Sequence, residues 1–158
     1  MQDLKESPYY SYIHLDLEQA IFHVVILFLA YIITLPIGLE RSRFKKGPGL
    51  RTLSIVSMAC CAYVLVAFSV FDEAHAQAKL LYGVITGVGF IGGGALFKSD
   101  DGVYGTASAA SLWVACAIGI SVGLAMLEIA IVLSLTTTGT LIFCSRPRND
   151  SDPQVSID

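Results

Sequence analysis

Residues 20–39 read AIFHVVILFLAYIITLPIGL, twenty positions without an Asp, Glu, Lys or Arg. A run of that length matches the roughly 20 apolar helical residues needed to cross a hydrocarbon core about 30 Å thick. The core of a water-soluble α/β domain would show charged helix faces every few residues, and this run has none. The same signal recurs at 52–71 and at 80–97. Beyond Asp101 the only carboxylate before Arg146 is Glu128, so that stretch holds two more spans. Gly119 and Gly123 place the turn between these two at 121–124, giving spans of about 106–120 and 125–143. The expected fold is therefore all-α: a polytopic membrane protein with about five transmembrane helices. An N-terminal segment (1–19) precedes the transmembrane domain (20–144), and a short polar tail (145–158) follows it.

Composition agrees with this reading. Among 158 residues 54% are hydrophobic and 15% charged, with a mean hydropathy of +0.67. Soluble domains carry about 25% charged residues. The net charge of −3 leaves no basic footprint for nucleic acid. The start of the chain has no basic region ahead of its first apolar run, so that run is expected to remain as a span. Cys60, Cys61, Cys116 and Cys144 lie in apolar stretches and read as small packing residues. His14, His23 and His75 are scattered, so no metal site is expected.

Charge placement sets the orientation. Arg41, Arg43, Lys45, Lys46, Arg51, Lys98, Arg146 and Arg148 fall on one side if the spans alternate, against Lys5 and Lys79 on the other. The N-terminus is expected outside and the C-terminus in the cytoplasm.

Three stretches stand out as candidate functional elements. The first span ends in LPIGLERSR, where Pro36 removes a backbone donor and is expected to kink or loosen the helix near Ile32. Glu40 and Arg41 follow at the membrane edge, and Arg51 opens the next span within reach of Glu40. Such charges either stop the span and set topology or serve a function. The third span contains GVITGVGFIGGGALF. Gly87, Gly89 and Gly92 spell a dinucleotide-type GxGxxG, but no βαβ unit surrounds it, so no pyrophosphate is expected. Two readings of these glycines stay open. Gly83 with Gly87, and Gly89 with Gly93, form small-xxx-small pairs for close helix packing. Alternatively the same stretch, Gly83, Gly87, Gly89, Gly92, Gly93 and Gly94, is a locally broken helix whose backbone groups face an ion or substrate.

In the fourth span, Gly105 with Ala109, and Ala107 with Ser111, are placed to pack on that glycine face. Trp113 lies mid-span, as packing or as a pocket wall. Asp100 and Asp101 form a solvated loop, cap the fourth span or take a divalent cation. Glu128 suits the first turn of the fifth helix. No nucleophile–base pair and no intramembrane charge relay is present, which argues against an enzyme and against a classical ion-coupled transporter. No cofactor is expected.

Taken in order, GLERSR, GLRT, GVGFIGGGALF and YGTASAASLWVACAIG resemble the MgtC/SapB family of bacterial membrane proteins, over residues 34–123. The resemblance implies a multi-pass inner-membrane protein linked to magnesium-limited growth. It implies a regulatory role exerted through other membrane proteins or through self-association. Older labels imply transport of Mg2+. Carried onto this chain, the family motifs mark Glu40, Arg41, Arg51, Gly87, Gly89, Gly92, Gly94 and Trp113. The chain departs from the pattern at Leu53, where His or Asn is common, and at 107–110, where Thr-Thr-Ala-Ala is common. Gln19 and His23 lie where an early arginine is often found. Because the chain ends soon after the fifth span, the virulence roles of longer members are not expected to transfer.

Overall fold

The computed structural model describes residues 16–43, 48–99 and 102–144. Five helices run through them: α1 (Leu17–Ser42), α2 (Leu50–Val70), α3 (Ala74–Gly94), α4 (Thr106–Gly123) and α5 (Leu127–Phe143). Between α3 and α4 sits one small hairpin, β1 (Phe97–Ser99) against antiparallel β2 (Gly102–Tyr104), with Lys98 opposite Val103. The five expected helices are present, and among the described residues this hairpin is the one departure from an all-helical chain. Lys45, Lys46, Asp100, Asp101, Arg146, Arg148 and His14 lie outside the described residues.

Helix boundaries differ from the hydropathy reading where polar residues are good helix formers. α3 begins at Ala74, six residues before the apolar run, because Ala, Gln and Lys favour a helix whatever the solvent. It stops at Gly94, so Phe97 belongs to the hairpin. α1 starts behind Asp16, whose carboxylate accepts the Glu18 amide at 3.1 Å. It continues through Pro36 and past Glu40 to Ser42.

The α4–α5 turn lies later than the glycines suggest. α4 runs on through Gly123, and Ala125 takes the left-handed conformation with φ of 59°. The Met126 amide then donates to the Ser121 carbonyl at 2.8 Å, and the Ala125 amide to that of Val122 at 3.0 Å. This is a Schellman closure with alanine where glycine is usual. Ala125→Gly is expected to raise stability by about 0.5–1 kcal/mol, since it relieves the Cβ strain at the cost of unfolded-state freedom. A thermal midpoint measured in detergent checks this; an unchanged or lower midpoint would contradict it.

α1 packs on α2, α4 and α5; α2 packs on α4; α3 lies at the edge against α4 and α2. Ile37, Leu53, Val64, Leu112, Ile118 and Val122 are sealed inside. Around the outside run exposed Phe22, Phe28, Ile55, Val66, Phe90, Val132 and Phe143. An apolar surface of that extent is far beyond the few hundred Å² a soluble monomer shows, and it suits lipid. Three helices, α1, α2 and α4, are long and apolar enough to cross a membrane. α5 is apolar but has 17 residues, about 26 Å of rise.

Candidate functional site

Contacts between helices sort their ends. A Cβ at Gly38 near the end of α1 would lie 2.8 Å from Leu50 Cα at the start of α2. Arg41 Nη2 donates to Ser108 Oγ at 2.8 Å, so the end of α1 also meets the start of α4. A Cβ at Gly105 would strike the Ala95 carbonyl just past α3. One end of the bundle therefore gathers Glu40, Arg41, Arg43, Arg51 and Lys98. The opposite helix ends carry Asp16, Glu18, Asp72, Glu73, Lys79 and Glu128.

At the basic end Glu40 is only 7% exposed. Its carboxylate pairs at 3.1 Å with Arg43, three residues on at the cap that closes α1. The expected meeting of Glu40 with Arg51 is thus corrected: among the described residues the ion pair comes from Arg43, and Arg51 is exposed on the first turn of α2. The i,i+3 spacing supplies a partner without any closure between helices. Arg41 turns the other way, half-buried, onto α4.

From here a polar seam runs into the bundle. The Ala30 carbonyl accepts from Thr34 Oγ1 at 2.9 Å and from Ser57 Oγ of α2 at 3.2 Å. The Ile33 carbonyl accepts from Ser134 Oγ of α5 at 2.6 Å. Both carbonyls lie within two turns before Pro36, whose ring nitrogen has no hydrogen to offer the Ile32 carbonyl. α2 and α5 are thereby tied by hydroxyls to the part of α1 that Pro36 perturbs. Ser54, fully buried beside Leu53, has no partner for its Oγ among the described residues.

The glycines divide into two sets. Gly89 and Gly92 face Trp113: a Cβ would lie 3.4 Å from Trp113 Cζ2 and 3.5 Å from its Nε1 respectively. Gly83, Gly87, Gly93 and Gly94 meet nothing within 4 Å. Among the described residues the small-xxx-small pairs of α3 are therefore not used as pairs. The broken-helix alternative is corrected too, because α3 is helical without interruption to Gly94. Trp113 is packing against α3 on one side and 51% exposed on the other. Ala109 joins it at the α3 contact, its carbonyl 3.8 Å from a Cβ at Gly92. Ala107 and Ser111 instead line a space between α4 and α5. Their expected docking on α3 fails because they lie on a different side of α4 from Ala109 and Trp113.

The close helix contact lies elsewhere. A Cβ at Gly119 would run into the Ser57 carbonyl and lie 3.0 Å from Cys60 Cβ; at Gly123 it would lie 2.8 Å from Val64 Cβ. Ala115, Gly119 and Gly123 repeat every fourth residue, as do Ser57 and Cys61 on α2. That spacing is readable in the sequence, where the same glycines also read as markers of the adjoining turn. Cys60, Cys61 and Cys116 are buried at this contact, as expected of packing residues, and Cys144 is exposed. Among the described residues no group of three or more His, Cys, Asp or Glu is placed to hold a metal.

A five-helix bundle with a lipid-suited exterior, glycine-mediated helix contacts and a charged end defines a small membrane protein. The chain belongs to the MgtC family, whose profile matches residues 27–149. It is 33% identical over 121 residues to the Escherichia coli K12 protein named "Putative magnesium transporter YhiD", covering 72% of this chain and 56% of that one. It is 29% identical over 128 residues to protein SrpB of Synechococcus elongatus, covering 73% and 70%. Protein MgtC of Brucella abortus is 29% identical over 99 residues, covering 63% and 41%. The chain thus spans about half the length of YhiD and less of MgtC. No solved structure matches it.

Proposed function

We propose that this chain is a regulatory protein of the bacterial inner membrane, acting by helix packing on itself or on another membrane protein during adaptation to scarce magnesium. All five helices span, with the basic end in the cytoplasm by the positive-inside rule. The reading invokes no chemical step, no cofactor and no nucleic acid. The observation that carries it is the outward glycine set of α3. A glycine inside a helix costs about 1 kcal/mol relative to alanine. Contact with Trp113 accounts for Gly89 and Gly92, whereas Gly83 and Gly87 meet nothing within 4 Å among the described residues. A second helix backbone seated there would account for them.

Gly87→Leu tests this cleanly, because its side chain enters open space and the bundle should be undisturbed. The expected result is normal membrane insertion and a normal thermal midpoint, with self-association or capture of the partner membrane protein reduced about tenfold or more. Unchanged crosslinking of every partner in native membranes would refute the proposal.

The name of YhiD favours a second reading, a path for divalent cations, in particular Mg2+. Purified protein in liposomes loaded with a Mg2+ indicator separates the two. Flux above empty vesicles supports the path; none across pH and voltage removes it.

A further inference from the structure

At the basic end of the bundle α4 and α5 part around a cavity of about 290 Å3. Ala107, Ala110 and Ser111 form one wall, and Thr136, Thr137 and Thr140 the other. In the sequence this lining reads as polar. In the structure three of its four hydroxyls are turned onto their own helices: Ser111 Oγ donates to the Ala107 carbonyl at 2.7 Å, Thr136 Oγ1 to that of Val132 at 2.6 Å, and Thr140 Oγ1 to that of Thr136 at 2.8 Å. Thr137 alone keeps a donor for an occupant among the described residues, and the rest of the wall offers chiefly methyl groups and backbone carbon. A water-soluble ligand would find few groups to bond. A helix about 10 Å across does not fit a space of this size. A hydrocarbon chain does.

The charge at this end of the bundle selects among lipids. Arg41 reaches α4 at the buried Ser108, in the same turn as the lining residues Ala107 and Ser111. Arg43, Arg51 and Lys98 lie at the same end of the bundle, against the single carboxylate Glu40 among the described residues there. Cationic side chains at a membrane surface attract anionic headgroups.

We propose that the α4–α5 cavity is a binding site for an anionic phospholipid, with one acyl chain between Ala110 and Thr140 and the headgroup phosphate at the basic end. The site is independent of the α3 face and of the regulatory role argued from it.

The test uses the purified full chain in detergent, titrated with phosphatidylglycerol or phosphatidylcholine and read by native mass spectrometry. Phosphatidylglycerol is expected to bind about tenfold tighter than phosphatidylcholine. Ala110→Phe fills the cavity and should remove tight binding of both lipids. Thr140→Leu, from the opposite wall, gives the same reading should Ala110→Phe fail to fold. Replacing Arg51 and Lys98 together by Gln should bring the two lipids towards parity while leaving one chain bound. Equal affinity for the two lipids in the unaltered protein would overturn the proposal, as would undiminished phosphatidylglycerol on a folded cavity variant. Displacement of the lipid by glycerol phosphate alone would also overturn it, since that assigns the binding to a free anion.

Discussion

Gly119→Leu is expected to prevent the bundle from closing. Even the first added carbon would run into the Ser57 carbonyl of α2, a backbone atom that cannot turn aside. Relief requires the two helices to separate along their whole contact. That separation unseats Leu53, Val64, Leu112 and Val122, all buried. Overpacking of a core costs about 1–3 kcal/mol and sometimes more, and a clash with backbone belongs at the upper end. Gly119→Ala is expected to fold with a clearly lowered thermal midpoint. Gly87→Ala supplies the contrast, because its Cβ enters empty space. It should be neutral or should gain up to about 1 kcal/mol from helix propensity. Heating in detergent followed by size-exclusion chromatography reads both. Equal loss from the two alanine substitutions would mean that the α2–α4 contact is not the tight one.

The second large effect is expected at Arg41. Its bond to Ser108 joins residues 67 apart in sequence and fixes the end of α1 on the start of α4. Arg41→Ala should cost about 1.5 kcal/mol, the low end for a charge-assisted bond, because the guanidinium is only half-buried. Lysine should not restore it, since the ammonium lacks the planar fork that spans the gap. A double-mutant cycle with Ser108→Ala isolates the contact. Additivity within about 0.5 kcal/mol would show that the bond contributes nothing measurable. The same variants should also loosen phosphatidylglycerol binding if the headgroup rests at this end.

Much of the fold was legible in the sequence. Long uncharged runs gave five helices, and among the described residues Arg41, Arg43, Arg51 and Lys98 gather at one end of the bundle and Lys79 at the other. Glu40 and Arg41 were readable as edge charges; their partners were not. Glu40 pairs with Arg43 at the C-terminal cap of its own helix, whereas the loop spacing points to Arg51. The glycine-rich stretch of α3 drew the eye as the packing face, yet the tight contact falls on Gly119 and Gly123 of α4. The sequence places the turn beside them at 121–124, whereas the left-handed residue that makes it is Ala125.

What the sequence determined by itself is the solvent and the number of helices. Both follow from sums over a window of residues, and a run of twenty apolar side chains gives the same sum in any fold. What only the tertiary structure decided is which faces meet. In water the inward side of a helix is marked by its apolar stripe; in lipid both sides are apolar, and no such mark is left in the sequence. The choice then rests on backbone approaches as close as those at Ser57 and Val64, which depend on the rotation of one helix against another and exist only once all five have packed.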